Sequence, residues 1–327
     1  MLLRGGGELM SQTQLFNSSF GPDIDKLKDY LKSDTVLCKF CGSNKIVKRG
    51  HRDMSEEKNQ RYKCKKCNKS CTDEITRGSN QKLWVHEEVL DFAIHGISSQ
   101  KIVDMILKRA KANNENIKLT RQSVLNLIKH DCQFLSTLEY YLNHSNLSKT
   151  WEMDETYEHI SKGIRCYVFN ARTVETKYWL VSYASVELSK VAQVIALTLA
   201  NNRAGYAPEI IRTDGYAPDL KKCSGPLCSS KVISIPKRLD YACINSVERI
   251  NGIMRNAIPK GSCSYSITHL QSLIELKRLH YNFLQKHSFF RNQTPAEIVG
   301  IDLPVETWSD LFRVADYLDR TIGHDFI

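Results

Sequence analysis

The segment 151–185, WEMDETYEHISKGIRCYVFNARTVETKYWLVSYAS, decides the fold class of this chain. It contains three stretches, 151–157, 164–173 and 177–185, that are rich in the β-branched and aromatic residues typical of strands. The last two stretches are close enough to be joined by a tight turn near 174–176. We therefore predict three consecutive strands here.

The sequence after these strands alternates between helical and extended patterns. A helix is predicted over 188–200, and short strands are predicted over 209–213 and 231–235. Two helices, 244–257 and 267–287, follow. Strands that alternate with helices in this order are typical of an α/β fold.

The sequence before the strands is helical over 81–143, where apolar residues recur at intervals of three and four. The first helix is predicted to end at Gly96, and a serine of the pair 98–99 to cap the next one. Thr120 is the predicted N-cap of a third helix, 121–135.

This order resembles a helix-turn-helix. The third helix carries Arg121, Gln122 and Asn126, whose side chains can bond base edges in the major groove. Residues 108–118 are predicted to form an insertion that is longer than the compact motif allows. A plain three-helix linker is therefore the alternative.

Two Cys-x-x-Cys pairs precede the helices. Cys38 and Cys41 form the first pair, Cys64 and Cys67 form the second, and 22 residues lie between the pairs. Four thiolates in this spacing are the tetrahedral ligand set of one structural Zn²⁺ ion, so a zinc ribbon is predicted. Cys71 is a rival fourth ligand, although a small buried side chain suits its position better.

Positive charge is concentrated in the first half of the chain. The net charge is +10, of which residues 1–149 contribute +8 (25 Lys and Arg against 17 Asp and Glu). Eleven Lys or Arg, including Lys65 and Lys66, lie within 39–69 against three acidic residues. A ribbon with this charge is expected to bind DNA phosphates without reading sequence, and binding to protein is the alternative.

Three acidic residues occupy positions that suit a metal-dependent active site. Asp154 lies in the first predicted strand, Asp214 stands at the end of the strand that begins at 209, and Glu248 lies early in a helix. If the two strands are neighbours, the three carboxylates converge and can bind two Mg²⁺ (or Mn²⁺) ions roughly 4 Å apart. Glu152 and Glu158 share the strand face of Asp154 and are the substitutes if this assignment slips.

Together these residues resemble the insertion-sequence transposases of the DDE superfamily, whose catalytic core is similar to retroviral integrase. Asp214 and Glu248 are separated by 33 residues, close to the family spacing. Arg255 stands seven residues after Glu248, where the family has a basic residue. Asn245 and Asn251 match polar positions that flank the family's Glu. The resemblance implies that Arg255, Asn245 and Asn251 contact DNA.

The resemblance also implies a multidomain protein in which a zinc ribbon and a helical module precede an RNase H-like α/β core with a mixed sheet. The implied parts are an N-terminal extension (1–33), the zinc ribbon (34–78), a helix-turn-helix module (79–148), the catalytic core (149–301) and a C-terminal helical tail (302–327).

The function implied is cleavage and strand transfer at the ends of a mobile element, with element ends and target DNA as double-stranded partners. At least a dimer is expected on DNA, and no membrane span. The expected location is cytoplasmic, on the nucleoid when DNA is bound. The alternatives are a structure-specific nuclease with the same core and a non-catalytic DNA-binding protein derived from a transposase.

Two smaller features have alternative interpretations. Cys223 and Cys228 are interpreted as part of a loop, and an additional metal knuckle is the alternative. Trp151, Tyr157 and Trp179 are interpreted as core residues, and stacking on unpaired bases is the alternative.

Overall fold

A computed structural model of the chain describes the following residues: 24–32, 36–54, 57–72, 81–142, 144, 146–161, 164–213, 225–234, 241–259 and 266–321. The helices are α1 (Ile24–Lys32), α2 (Leu83–Ile94), α3 (Ser99–Ala112), α4 (Arg121–Ser136), α5 (Leu138–Tyr141), α6 (Lys190–Ala204), α7 (Tyr241–Asn256), α8 (Ile267–Phe283), α9 (Pro295–Ile298) and α10 (Trp308–Thr321). The strands are β1 (Ile46–Met54), β2 (Glu57–Cys64), β3 (Ser70–Thr72), β4 (Thr150–Ser161), β5 (Ile164–Thr173), β6 (Trp179–Ser185), β7 (Ile210–Thr213) and β8 (Lys231–Ser234).

The larger sheet has five strands in the order β6-β5-β4-β7-β8. Strands β4, β5 and β6 are antiparallel neighbours, whereas β7 runs parallel to β4 and β8 runs parallel to β7. The predicted tight turn joins β5 to β6, and Thr173 N–H donates to the Tyr178 carbonyl at 3.0 Å across it. This mixed sheet with helices is consistent with the predicted RNase H-like core.

One face of the sheet is apolar and packs against α6. Trp151 and Met153 point to this face because alternate residues of a strand share a side of the sheet. Both are buried, and they belong to the same core cluster as Ala171 of β5 and Ala196 and Leu197 of α6. The small residues of α6 allow the helix to lie close to the sheet.

The opposite face packs against α7 and α8. Cys166 and Val168 of β5 form a second core cluster there with Ile250 and Met254 of α7 and Ile274 of α8. The even-numbered residues of β4 point to this side, so the helix that contains Glu248 covers the strand face that contains Asp154. We call this side the α7 face.

The helical module has the predicted cap residues but a longer second helix, and Ser98 at the N-cap of α3 makes no side-chain capping hydrogen bond. α2 is followed by Gly96, whose φ of 71° is left-handed, and Thr120 Oγ1 accepts from Ser123 N–H at 3.1 Å to cap α4. The predicted insertion 108–118 is wrong over its first five residues, because α3 continues to Ala112. Lysine, arginine and alanine are strong helix formers, which explains this extension.

The helical module and the apolar sheet face share one hydrophobic core. Buried residues from α2, α3, α4 and α10 belong to the same cluster as Trp151 and the α6 alanines. α10 contacts α1, α2, α4 and α5, so the predicted C-terminal tail packs on the module rather than extending from it.

A buried ionic cluster ties the helical module to the core. Arg278 of α8 donates to Glu139 of α5 at 2.7 Å and to Glu275 at 2.7 Å, and all three side chains are at most 5% exposed. Tyr178 Oη donates to Glu139 at 2.6 Å. Burial favours the neutral acid, but the Arg278 guanidinium outweighs it and holds the pKa of Glu139 at about 2.

Among the residues that the structure describes, no helix combines the length and the apolar character needed to cross a membrane.

Candidate active site

The candidate site is built on the α7 face of β4. Glu152, Asp154, Thr156 and Glu158 occupy this face by strand alternation. Asp154 is only 6% exposed and is paired across the sheet with Asn170 of β5. A buried carboxylate needs hydrogen-bond donors or a cation, because burial without them disfavours the charged form.

Asp154 receives a hydrogen bond from α7. Asn251 Nδ2 donates to Asp154 Oδ2 at 2.7 Å, and Asn251 Oδ1 accepts from Asn170 Nδ2 of β5 at 2.7 Å. Asn251 is 6% exposed. The structure therefore gives this residue partners inside the protein, whereas the sequence suggested a contact with DNA.

Arg255 anchors the next turn of α7 to the same strand. Its Nη2 donates to Thr156 Oγ1, and its Nε donates to Glu158 Oε1 at 3.2 Å. Burial raises the pKa of Glu158, and the Arg255 charge only partly opposes this. The Arg255 side chain is still 53% exposed, so its guanidinium has one side in the protein and one in solvent.

Glu248 is exposed and lies one helical turn before Asn251. Residues three apart on a helix share a face, so Glu248 lies on the same side of α7 as Asn251, the residue that contacts Asp154. Asn245 belongs to the first half of α7, and its side chain is outside the described parts of the chain.

Strand β7 borders β4 on the side away from β5. The two strands are parallel neighbours, with Glu152 opposite Arg212. Thr213 is the last residue of β7, and the predicted Asp214 that follows it lies outside the described residues, as does Cys223. The structure thus places both the helix of Glu248 and the strand that precedes Asp214 beside β4, the strand of Asp154.

The two substitute carboxylates have basic partners. Arg172 Nε donates to Glu152 Oε2 at 3.3 Å, and both side chains are 4% exposed. Glu158 is paired with Arg255. Asp154, the third acidic residue on this strand face, accepts a hydrogen bond from the neutral amide of Asn251.

The four predicted zinc ligands lie together in the N-terminal ribbon. Their sulfur atoms are all within 4.8 Å of one another, with Cys38 and Cys67 3.6 Å apart and Cys41 and Cys64 3.6 Å apart. Tetrahedral zinc with bonds of about 2.3 Å requires sulfur separations of about 3.8 Å, so the four thiols fit a zinc ion. In the described chain, Cys71 is buried outside this group.

Backbone groups prepare this cluster for a cation. Burial by itself raises the pKa of Cys64, but the N–H groups of Cys67 and Lys66 donate to its sulfur and lower that pKa to about 6. Burial raises the pKa of Cys38 to about 12. A bound metal ion would therefore be needed to hold all four sulfurs as thiolates.

The predicted DNA-contacting residues outside the core are at the surface. Lys65 and Lys66 are exposed beside the cysteine cluster and, with Lys45, line a cleft that also reaches Thr321 of α10. On α4, the predicted side chains of Arg121, Gln122 and Asn126 are exposed. Gln122 Nε2 donates a hydrogen bond to Asn126 Oδ1. Their position leaves them accessible to a ligand.

The aromatic residues divide between core and surface. Trp151 and Trp179 are 0% exposed and belong to the core, as the sequence indicated. The assignment of Tyr157 to the core is wrong: its side chain is 50% exposed, and the Arg165 guanidinium lies 4.7 Å from the centre of its ring. Cys228 is exposed in a short 3₁₀ turn, Gly225–Ser229.

Sequence reasoning missed Asn170 and Ser182, two buried polar residues behind Asp154. Ser182 Oγ donates to Asn170 Oδ1, and both residues are at most 1% exposed. Each is a polar residue in a strand that is otherwise largely apolar. That interruption was the available signal, since a buried amide or hydroxyl requires a partner.

No protein-family model matches this chain. No curated protein matches it either. Solved structures are similar in part, the following two among them. The HTLV-2 integrase catalytic core domain, solved with magnesium in a dimeric form, is 18% identical, with 47% of this chain and 99% of that chain covered and a TM-score of 0.34. The simian T-cell lymphotropic virus intasome, solved with the PP2A regulatory subunit B56 gamma, is 13% identical, with 64% and 77% covered and a TM-score of 0.37.

Proposed function

We propose that this chain is a DNA transposase. It binds the ends of a mobile element, cleaves a phosphodiester there and joins the new 3′-hydroxyl to target DNA. Asp154, Asp214 and Glu248 are the proposed ligands of two Mg²⁺ or Mn²⁺ ions.

The observation that carries this proposal is the bond between Asn251 and Asp154. It fixes α7 against the centre of β4 at a buried carboxylate. Because Glu248 is one turn before Asn251 on the same helix, we expect its carboxylate on the side of α7 that faces Asp154. Two acidic residues that are far apart in sequence thus belong to elements that are in direct contact.

The inclusion of Asp214 is supported by the register of the parallel strands. Glu152 is paired with Arg212, and Asp154 and Asp214 each follow two residues later in the sequence. If the parallel register continues by two residues, these carboxylates are adjacent at one end of the sheet. The proposal assumes that continuation.

The chemistry requires no covalent protein intermediate. Divalent cations held by carboxylates activate the attacking oxygen and stabilise the leaving oxygen in an in-line displacement. The role of the protein groups is to hold the cations and to orient the DNA. Arg255 has a half-exposed guanidinium next to Glu158, which suits a contact with a DNA phosphate.

Double-stranded DNA is the proposed partner of the N-terminal half. The basic ribbon, with exposed Lys65 and Lys66, suits phosphate binding, and the exposed α4 residues Arg121, Gln122 and Asn126 suit the reading of bases. Since two element ends are processed together, we expect at least a dimer on DNA.

The test uses the full chain with Mg²⁺, a labelled duplex containing a candidate element end, and a target plasmid. Asp154→Asn is expected to lower cleavage by on the order of 1,000-fold or more, because charge stabilisation in the transition state is lost. DNA binding is measured in parallel and should persist. Glu155→Gln is the matched control, since Glu155 is next in sequence but points to the other sheet face, and it should cleave normally.

The same assay separates the alternatives. Cleavage without joined products would identify a nuclease instead of a transposase. DNA binding without cleavage by the wild-type chain would identify a non-catalytic DNA-binding protein. Full activity of Asp154→Asn would refute the assignment of the site.

A further inference from the structure

Four buried polar side chains form a continuous hydrogen-bonded row that ends at Asp154. Ser182 of β6 donates to Asn170 of β5, and Asn170 Nδ2 donates to Asn251 Oδ1 at 2.7 Å. Asn251 Nδ2 then donates to Asp154 Oδ2 at 2.7 Å. The row crosses from β6 through β5 and α7 to β4.

The row has one polarity, and the carboxylate sets it. An ionised carboxylate only accepts hydrogen bonds, so Asn251 must turn its NH₂ group towards Asp154. Its carbonyl oxygen then faces Asn170, which must offer its own NH₂ group. The remaining oxygen of Asn170 accepts from the Ser182 hydroxyl. The orientation of each amide is therefore fixed by the next group in the row.

Burial makes this order strict. Asn170 is 0% exposed, Ser182 is 1% exposed and Asn251 is 6% exposed. Water has little access to an amide in such a position. If one amide were reversed, donor would face donor or acceptor would face acceptor, and no water would replace the lost hydrogen bonds. The row therefore holds one arrangement of Asp154 in preference to others.

We propose that Ser182, Asn170 and Asn251 form a positioning relay that orients the Asp154 carboxylate for cation binding and fixes α7 at the working distance from β4. This inference rests on the proposed function, because it takes Asp154 as a metal ligand. Metal ligands are commonly oriented by hydrogen-bonded neighbours in this way. The relay also acts on Glu248, because Asn251 stands one turn after it on α7.

The relay explains why polar residues occupy the sheet interior at this point. Apolar residues at 170 and 182 would complete the packing between the sheet and α7 without any need for partners. Instead, the polar row leads from the middle of the sheet to a single carboxylate. Asn251 is a positioning residue in this scheme, and no contact between it and DNA is required.

The first test measures Mn²⁺ binding to the full chain by electron paramagnetic resonance, together with thermal unfolding by circular dichroism. Asn251→Ala is expected to weaken Mn²⁺ binding by about 10- to 100-fold, the usual effect of removing a group that orients a metal ligand. The Mg²⁺ concentration for half-maximal DNA cleavage should rise in parallel.

Asn282→Ala is the matched control. Asn282 is also 0% exposed, and both ends of its amide are bonded to the backbone of Trp179, at 2.9 Å each. Its loss should lower the unfolding temperature without changing the affinity for Mn²⁺. A general loss of packing would affect both variants alike, whereas loss of the relay affects only Asn251→Ala.

Asn170→Asp tests the polarity of the relay with almost no change of shape. The introduced carboxylate cannot donate to Asn251. The Asn251 amide therefore rotates to donate its NH₂ group to that carboxylate, and its carbonyl oxygen then faces Asp154. We expect Asn170→Asp to weaken Mn²⁺ binding more than Asn170→Ala. If Asn251→Ala does not fold, this pair and the milder Ser182→Ala provide the comparison.

Wild-type affinity for Mn²⁺ in Asn251→Ala and Asn170→Asp would overturn the relay. This outcome differs from failure of the proposed function. If the wild-type chain binds Mn²⁺ through Asp154 but never cuts DNA, transposition fails and the relay stands. If it cuts DNA and the relay variants respond to metal like the wild type, only the relay fails.

Discussion

The two candidate metal sites of this protein are assembled in different ways. The cysteine cluster comes from the single stretch 38–67, in which the hairpin of β1 and β2 brings two Cys-x-x-Cys pairs together. The carboxylate site draws on β4, α7 and the strand leading to Asp214, which are separated by about a hundred residues at most. The first site thus depends on local structure, and the second depends on how distant elements pack.

The two candidate sites are therefore expected to respond differently to substitutions elsewhere in the protein. A local site is expected to survive changes in the core, because few contacts outside the ribbon define it. A site made from distant elements is expected to respond to changes far from its ligands, because its geometry depends on the docking of α7 and the sheet. Three substitutions test the comparison, from the largest expected effect to the smallest.

Cys64→Ser should abolish zinc binding while leaving the core folded. Removing one of four thiolates opens the tetrahedral set, and structural zinc contributes folding free energy to small modules directly. We expect the zinc content, measured by atomic absorption, to fall from one ion to none, and DNA affinity to fall by about 10-fold.

Cys71→Ser is the control for this change, because Cys71 is a buried cysteine of the same ribbon outside the cluster. It should retain its zinc. Zinc retention and normal DNA binding in Cys64→Ser would contradict the ribbon assignment, and unfolding of the core would contradict its independence.

Glu139→Gln should destabilise the core without affecting the zinc site. It removes the charge that faces buried Arg278, and breaking such a pair costs about 3 kcal/mol in the free energy of unfolding. Chemical denaturation monitored by circular dichroism measures this. Glu209→Gln, which breaks the exposed pair with Lys149, should change the free energy of unfolding by less than about 1 kcal/mol.

The pH dependence of the free energy of unfolding is a second measure of the contribution of Glu139. The pKa of Glu139 is held at about 2, below its usual 4.5, so its contribution is complete above pH 4.5 and is lost as the pH falls towards 2. The wild-type free energy of unfolding should therefore decline more steeply across this window than that of Glu139→Gln. Equal slopes would show that Glu139 is not the group responsible.

Gly96→Ala should have a smaller effect that reaches the carboxylate site. Gly96 has a φ of 71°, and a Cβ added there would lie 2.6 Å from the carbonyl oxygen of Asn256 at the end of α7. We expect a loss of about 1–2 kcal/mol from backbone strain and a higher Mg²⁺ requirement for cleavage, because the end of α7 must shift.

Gly205→Ala separates the two causes. Gly205 has a φ of 75°, and an added Cβ would meet nothing within 4 Å. It should therefore carry the same strain without the contact to α7. An identical Mg²⁺ requirement in both variants would exclude transmission from the helical module to α7.

Several features were predictable because they depend on neighbours in sequence. The N-cap at Thr120, the strand that contains Asp154 and the buried Trp151 and Trp179 all follow from local pattern. The end of α3 was misjudged because a run of good helix formers extends it to Ala112. The partner of Asn251 was not predictable, since it lies 97 residues away on β4.

The sequence by itself determined the types of element, their order and the chemical character of both candidate metal sites, because periodicity, caps and thiol spacing act within a few residues. Only the tertiary structure decided that α7 docks on Asp154 through Asn251, that Asn170 and Ser182 stand behind it, and that Arg278 joins the helical module to the core. These contacts join residues far apart in the chain. Which distant polar groups meet is set by the packing of whole helices against the sheet, and no local pattern encodes it.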